Sequence, residues 1–272
     1  MPDRKINRRL IREIEIIFKN CPKNVFHESL EIGAGDGAQS VLLKKYTEHL
    51  YAVDYNVKRL RQENSPGITY KICDAEKIDS YFNNKQFDFV FSSSLLEHLP
   101  NVGMTLNGIS RILKDDGITI HCMPNPLWKI LNILLFYPNM ARRIIEVLFR
   151  PGRVKEFIVR KVKKGIIRVE IDESVNNNPK IKSRKYSRLW PTIHGAYENH
   201  IHEILSYRKK NWIKIFENSG YDIYKILPGP VSTGYQFRFS ILKRIIEKMS
   251  ISTEYIYLAI KRGNSSEYTK YI

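Results

Sequence analysis
Twelve residues, Ser29 to Ser40, constrain this chain more than any others: SLEIGAGDGAQS. Ser29, Leu30, Glu31 and Ile32 run into three alternating glycines, Gly33, Gly35 and Gly37, and a helical pattern follows. That layout is a strand turning tightly into a helix. Glycine suits the turn because, without a Cβ, it takes positive φ freely and lets a ligand approach the backbone. The helix start beyond it offers unpaired N–H groups. The stretch therefore predicts a nucleotide-like ligand at the carboxyl end of the first strand of an open α/β sheet.

The rest of the chain fits that sheet. Ile6, Leu10, Ile14 and Ile17 recur at helical spacing and predict an amphipathic helix ending near Asn20. Strands are expected at His27–Ile32, Leu50–Val53, Ile68–Cys73, Phe87–Ser92 and Ile118–Cys122. Helices are expected between them at Ala38–Tyr46, Val57–Asn64 and Met104–Leu113, with Asp115-Asp116-Gly117 as a turn. Strands alternating with helices in this way imply parallel pairing with right-handed crossovers. The rhythm stops at Pro124. It resumes with a helix at Trp212–Ser219, Gly220 as its stop, a strand at Tyr221–Leu227, a helix near Ile241–Lys248 and a last strand at Tyr255–Ile260. The expected architecture is a Rossmann-like α/β fold. It has a seven-stranded, mostly parallel sheet, helices on both faces and a helical, basic insertion after strand five. Residues 1–123 are the cofactor-binding half, 124–210 the insertion and 211–272 the remainder of the core.

Charge narrows the partners. The chain carries 45 Lys and Arg against 28 Asp and Glu, a net +17, which points to an anionic partner. Cys21, Cys73 and Cys122 are far apart and odd in number, the pattern of core thiols in a reducing compartment rather than of disulfides or a metal cluster. Glu13 and Glu15 interrupt any apolar leader, and no run approaches the roughly 18 apolar residues of a membrane span. The expected location is cytoplasmic, either free or peripheral on the cytoplasmic face of a membrane.

The glycines alone leave the ligand open, because Gly33, Gly35 and Ala38 also satisfy the dinucleotide fingerprint of an NAD-type oxidoreductase. Glu31 lies two residues before the first glycine. Asp54 ends strand two, where a carboxylate can take both ribose hydroxyls. Asp74-Ala75 ends strand three, within reach of an adenine amino group. Three acids around one site repel a pyrophosphate and suit a zwitterionic or positive ligand. The set LEIGAGDG, VDYN, CDAEKI, FDFVFSSSLLEHL and the strand after RILKDDG resembles the class I S-adenosylmethionine-dependent methyltransferases, and more narrowly their ubiquinone-biosynthesis-like, small-molecule branch. The resemblance covers about Val25 to Met123 and, more loosely, Trp212 to Arg262. It implies S-adenosylmethionine as cofactor. Gly33, Ala34, Gly35 and Gly37 would surround its methionine part, and Glu31 would orient that loop. Asp54 would bind the ribose and Tyr55 would flank the adenine. Asp74 and Ala75 would contact the adenine, and Ser92 and Ser93 would line the floor under the sulfonium.

A sulfonium methyl needs an in-line nucleophile and exclusion of water. A hydroxyl acceptor also benefits from a base, for which histidine is suited near neutral pH. His98, in the Glu97-His98 pair after strand four, is one candidate and His194 another. The segment WPTIHGAYENHIHEIL adds Tyr197, Glu198, His200 and His202 as candidate substrate contacts, with Glu198 and His202 four apart on one helix face. The competing readings are a polar helix start with solvated histidines and a metal site. The spacings match no compact metal signature, so no metal is expected.

From Pro124 to Trp190 there are 16 Lys and Arg against 5 Asp and Glu. The segment begins apolar (LWKILNILLFY) and continues as RVKEFIVRKVKK, with apolar residues on one helix face. Residues 127–164 thus suit either an anionic membrane surface or a lid over the core. Basic residues interleaved with aliphatics, rather than with exposed aromatics, argue against nucleic acid. The expected acceptor is a hydroxyl of a small molecule, glycan or lipid-linked sugar. The alternatives are the oxidoreductase and a non-catalytic membrane or nucleic-acid adaptor.

Overall fold
The computed structural model describes residues 7–60, 65–149, 190–194, 197–235 and 245–272. Helix α1, Arg8–Ile17, starts where the Asn7 side chain accepts the Arg9 N–H at 3.0 Å. Its buried face carries Glu13, Ile14 and Ile17. Each buried isoleucine contributes roughly 1.5–3 kcal/mol. β1 (Phe26–Ile32), β2 (Thr47–Asp54), β3 (Ile68–Ile72), β4 (Phe87–Ser93) and β5 (Leu113–Pro124) are parallel neighbours. Helix α2 (Ser40–Leu43) follows β1, and α3 (Val102–Ile112) precedes β5. Then come α4 (Pro126–Leu134), α5 (Phe136–Leu148), α6 (His200–Ser206), α7 (Lys209–Asn218), β6 (Tyr221–Pro228) and β7 (Glu254–Lys261).

The seven strands lie in the order β3-β2-β1-β4-β5-β7-β6, with β7 antiparallel to both neighbours. The sheet therefore has the seven strands and mostly parallel pairing expected. Alternation along each strand splits the core between its two faces. Phe89, Phe91, Ile118 and Ile120 pack on one face with Ile14, Ile17 and Phe18 of the α1 region. Leu30, Val90 and Tyr257 pack on the other with Leu106, Ile109, Trp212 and Phe216 from α3 and α7. Gly220, at φ +81°, ends α7 as expected.

Three boundaries differ from expectation. The helix expected over Ala38–Tyr46 is only the single turn α2, because β2 starts at Thr47 opposite Phe26 and the Tyr46 ring is already stacked on Phe18. Asp115-Asp116-Gly117 is not a free turn. Leu113 pairs with Phe87 and Ile118 with Phe89, so the extra residues are absorbed within β5 as an irregularity of register. Val57–Leu60 form turns, and the remainder of that expected helix, residues 61–64, lies outside the described residues.

The chain divides into two compact units, Met1–Ile130 with Ile193–Ile272, and Leu131–Thr192. Helix α5 belongs to the second. The basic amphipathic segment 153–164 lies outside the described residues, as does the start of the helix expected at Ile241–Lys248. Among the described residues no helix is long and apolar enough to cross a membrane.

Candidate active site
The site begins where β1 ends. Gly33, Gly35 and Gly37 all have positive φ, at +81°, +57° and +73°. The Gly33 and Ala34 N–H groups donate to the Val53 carbonyl at 2.8 and 2.9 Å, and Gly37 N–H donates to Ala34 at 3.0 Å. A Cβ on Gly37 would lie 2.8 Å from the Tyr70 hydroxyl oxygen, whereas one on Gly35 would meet nothing within 4 Å. The tip of the turn thus opens on unfilled space. It borders a cavity of about 390 Å³ lined by Arg9, Leu10, Glu31, Gly33, Ala34, Gly35, Asp36, Gln39, Lys58, Arg59 and Ser93.

Asp54 ties this turn to the end of β2. Its Oδ2 accepts the Gly35 N–H at 2.9 Å and its Oδ1 accepts the Asn56 N–H at 2.8 Å. On the neighbouring strand, Cys73 N–H donates to the Asp54 carbonyl at 3.1 Å. Asp74 follows and caps a 3₁₀ turn, Ala75–Ser80, by accepting the Glu76 N–H at 3.0 Å. Ala75 is buried beside it. Glu31 is buried and accepts a hydrogen bond from the Ser40 hydroxyl. Burial pushes its carboxyl up to about 7 against that hydrogen bond, with Asp36, Asp54 and Glu13 adding to the rise. The cradle and the two strand-end carboxylates fit S-adenosylmethionine, offering a close backbone approach and hydroxyl acceptors.

Tyr55 is 75% exposed, its ring reaching into solvent past the end of β2. Ser92 is placed differently from its expected role. The two serines at the end of β4 point to opposite faces of the sheet, as strand alternation demands. Ser93 lines the cavity, while the Ser92 hydroxyl is buried 2.7 Å from His121 Nδ1. Thr119 Oγ1 lies 2.7 Å from the other ring nitrogen, and burial holds this imidazole neutral, with its pKa down at about 3. Ser92 therefore belongs to a core polar network on the face away from α1.

Sequence reasoning missed the wall behind the cradle. Arg9 Nε is 2.6 Å from Glu13 Oε1 and 2.9 Å from Glu254 Oε2, and its Nη2 donates to Ser93 and Ser94 at 3.2 and 2.6 Å. Glu13 Oε2 also accepts from Gln39 at 2.9 Å and Ser93 at 2.8 Å. Burial opposes the Arg9 charge, but Glu254 and Glu13 outweigh it and raise its pKa. The signal was present in the sequence. Glu13 stands on the apolar stripe of α1, three residues after Leu10, where an acid has no packing reason to be.

A second polar cluster lies beyond β4. His98 is about half exposed, with Nε2 3.9 Å from Glu97 Oε1. Burial and His194 lower its pKa, with Glu203 opposing. His194 Nδ1 is 3.6 Å from Glu203 Oε1 and its ring meets Trp128 edge to face at 5.0 Å. Glu203 and Lys129 form a fully buried ion pair, Nζ to Oε2, of 2.6 Å. Burial works against the Glu203 charge, but His194 and Lys129 outweigh it and hold its carboxyl below the ordinary range. The Tyr207 hydroxyl donates to Glu203 at 3.3 Å, and the Tyr197 ring meets Tyr207 edge to face at 5.6 Å. The structure thus brings His98, His194 and Tyr197 into one neighbourhood, around Glu203. It leaves Glu198 and His202 at the surface, 3.7 Å apart and 83% and 60% exposed. His200 begins α6, where Asn199 caps the helix through the His202 N–H at 2.8 Å. Among the described residues no cluster of His, Cys, Asp and Glu has the form of a metal site.

A parallel sheet in the order 3-2-1-4-5, closed by an antiparallel β7 between β5 and β6, differs from the all-parallel dinucleotide-binding order. With the glycine turn and two strand-end acids, it defines the class. Residues 30–121 are a class I S-adenosylmethionine-dependent methyltransferase domain, and this same stretch matches the methyltransferase domain family. The chain is 28% identical over 93 residues to phosphoethanolamine N-methyltransferase 2 of Caenorhabditis elegans, a match over 32% of this chain. The chain spans about a fifth of that relative's length, 21%. Two solved structures share the fold across nearly the whole chain. A SAM-dependent methyltransferase from Archaeoglobus fulgidus has a TM-score of 0.50 at 16% identity, covering 94% of this chain and 95% of its own. An S-adenosylmethionine-dependent methyltransferase from Mesorhizobium loti has a TM-score of 0.51 at 12% identity, covering 92% and 99%.

Proposed function
We propose that this protein transfers a methyl group from S-adenosylmethionine to a hydroxyl of a small molecule, glycan or lipid-linked sugar. The observation that carries the donor half is the open space over Gly35, beside a carboxylate that ends β2. S-adenosylmethionine, when bound, supplies a methyl already activated by the sulfonium. The chain then has to hold the acceptor in line, keep water out and take the hydroxyl proton. His98 suits that last task. Its lowered pKa leaves the imidazole neutral at pH 7, ready to accept a proton. Trp128 and Tyr197 supply apolar walls with polar edges for a ring-bearing acceptor.

The test is mass spectrometry of lipid and glycan extracts incubated with isotopically labelled methyl donor and the protein. Label in an O-methyl product of either fraction supports the reading, and label confined to amines sinks the hydroxyl part. The pH dependence follows from the His98 shift. The neutral form is the active one, so kcat/KM falls as pH drops through a value below His98's ordinary 6.5, and it is flat above. His98→Gln should remove that acid limb and lower kcat by about 10²–10⁴. A limb that persists in the variant rules His98 out as the base. Residues 127–164 we further read as a membrane-facing or lid segment. Sedimentation with anionic but not neutral vesicles at low salt supports the membrane part, and no sedimentation counts against it.

A further inference from the structure
A second cavity, also of about 390 Å³, is lined by residues of α1 and β6, and it shares no lining residue with the cavity at the glycine cradle. Ile251 and the closing 3₁₀ turn, Glu267–Tyr271, contribute further walls. A cavity of this size is in the range of small-molecule sites. Its lining is apolar at the base. Ile17 is buried, and Ile16, Leu227 and Tyr271 are half-buried and pack against the core. The proposed methyl transfer uses none of these residues.

The charged lining is one-sided. Arg12, Lys19, Lys225 and Lys270 face one acidic side chain, Glu247. Glu247 is already engaged. Its Oε1 accepts the Val231 N–H at 3.0 Å, and its Oε2 accepts from Arg12 Nε at 3.4 Å. Arg12 also meets Glu15 at 3.1 Å, and Lys270 meets Glu267 at 3.2 Å. Two ammonium groups are left that no acidic side chain balances among the described residues. Lys225, on β6, donates to the Ile272 carbonyl at 3.2 Å. Lys19, just past the end of α1, has no hydrogen bond or ion pair among the described residues. Ammonium and guanidinium groups carry donors and no acceptors. What the cavity lacks is therefore an acceptor with negative charge, joined to something apolar.

We propose that this cavity binds a small anionic amphiphile, a carboxylate or phosphate monoester on a short alkyl chain. The head lies between Lys19 and Lys225, and the chain lies against Ile16, Leu227 and Tyr271. Walls drawn from separate elements make a concave site, which takes a single molecule rather than a bilayer surface. Both ammonium groups are exposed, so each contributes modestly and salt weakens its pull.

The experiment is an NMR titration with octanoate, using octanol and acetate as controls. The proteins are wild type, the double variant Lys19→Gln/Lys225→Gln, and Ile251→Trp, with thermal melts to verify folding. Octanoate should bind wild type about tenfold more tightly than octanol, and acetate should not bind measurably. Hexanoate, two methylenes shorter, should bind about tenfold more weakly than octanoate. The double variant should lose about tenfold in octanoate affinity and keep octanol within about twofold. Ile251→Trp, which puts a larger side chain into the lining, should weaken both. Saturating S-adenosylhomocysteine should leave octanoate binding unchanged, because the two linings do not overlap. No octanoate binding, octanol binding as tight as octanoate, a double variant that binds octanoate like wild type, or displacement by S-adenosylhomocysteine each overturns the proposal. If the double variant does not fold, Ile251→Trp and the loss of octanoate affinity with added salt decide.

Discussion

Asp54→Ala should lower the affinity for S-adenosylhomocysteine about 10–100-fold in calorimetric titration. The Asp54 carboxylate accepts the N–H groups of Gly35 and Asn56, one on each oxygen. Each hydrogen bond to a charged group is worth about 1.5–3 kcal/mol net, and only part of that is recovered by water in the variant. Gly35 is at the tip of the cradle and its positive φ is held by this contact. The substitution thus removes the proposed ribose ligand and unpins the turn beneath it. Asp54→Asn is the informative control, because it keeps one acceptor and presents a donor where the other N–H points. It should bind between wild type and Ala. An Ala variant with unchanged affinity and an unchanged melting curve would refute the ribose role of Asp54.

Lys129→Met should be the most destabilising single substitution proposed for this chain, costing about 3–5 kcal/mol. Lys129 and Glu203 are 1% and 0% exposed, so the variant strands a carboxylate that His194 and Tyr207 alone cannot neutralise. At roughly 2–4 °C per kcal/mol for a domain of this size, the melting temperature should fall by about 10 °C. Lys129→Met combined with Glu203→Met should recover most of the loss, since two apolar side chains can fill the same volume. Differential scanning calorimetry on the three proteins checks this. A single variant as stable as wild type would mean that the pair is hydrated and that its burial does not govern its energetics.

The strands were legible because each is an apolar run closed by a distinctive residue: Ile32 by Gly33, Val53 by Asp54, Phe91 by the serines. The cradle was legible for a related reason. Three alternating glycines mark a turn that needs positive φ, and all three take it. The position of β7 was not legible, because Tyr255–Ile260 is apolar throughout and periodicity carries no sign of direction or neighbour. The α1 wall was hidden by its own success as a helix. The spacing of Leu10, Ile14 and Ile17 explains itself by packing, and Glu13 was read only as a break in an apolar leader although its side chain is fully buried. The pairing of Lys129 with Glu203 was beyond reach, since only the fold brings residues 74 positions apart in the chain into contact. In the histidine-rich segment the conspicuous pair, Glu198 and His202, faces water, and the acid one residue further on, Glu203, is the buried one.

The strand order carries a consequence for how the molecule comes into being. β5 is complete at Pro124, yet the strand that covers its open edge, β7, begins at Glu254. On the ribosome, some 130 residues must emerge between an edge and its partner, so for tens of seconds or less at typical elongation rates the nascent sheet carries bare peptide groups along Ile118–Pro124. The insertion is made during that interval. The methyl-donor cradle, built by β1 and β2, exists before the sheet can close, whereas Glu254 reaches Arg9 last. Completion of the wall and closure of the sheet are thus one event, and a chain stalled before β7 would present an unguarded strand to its neighbours.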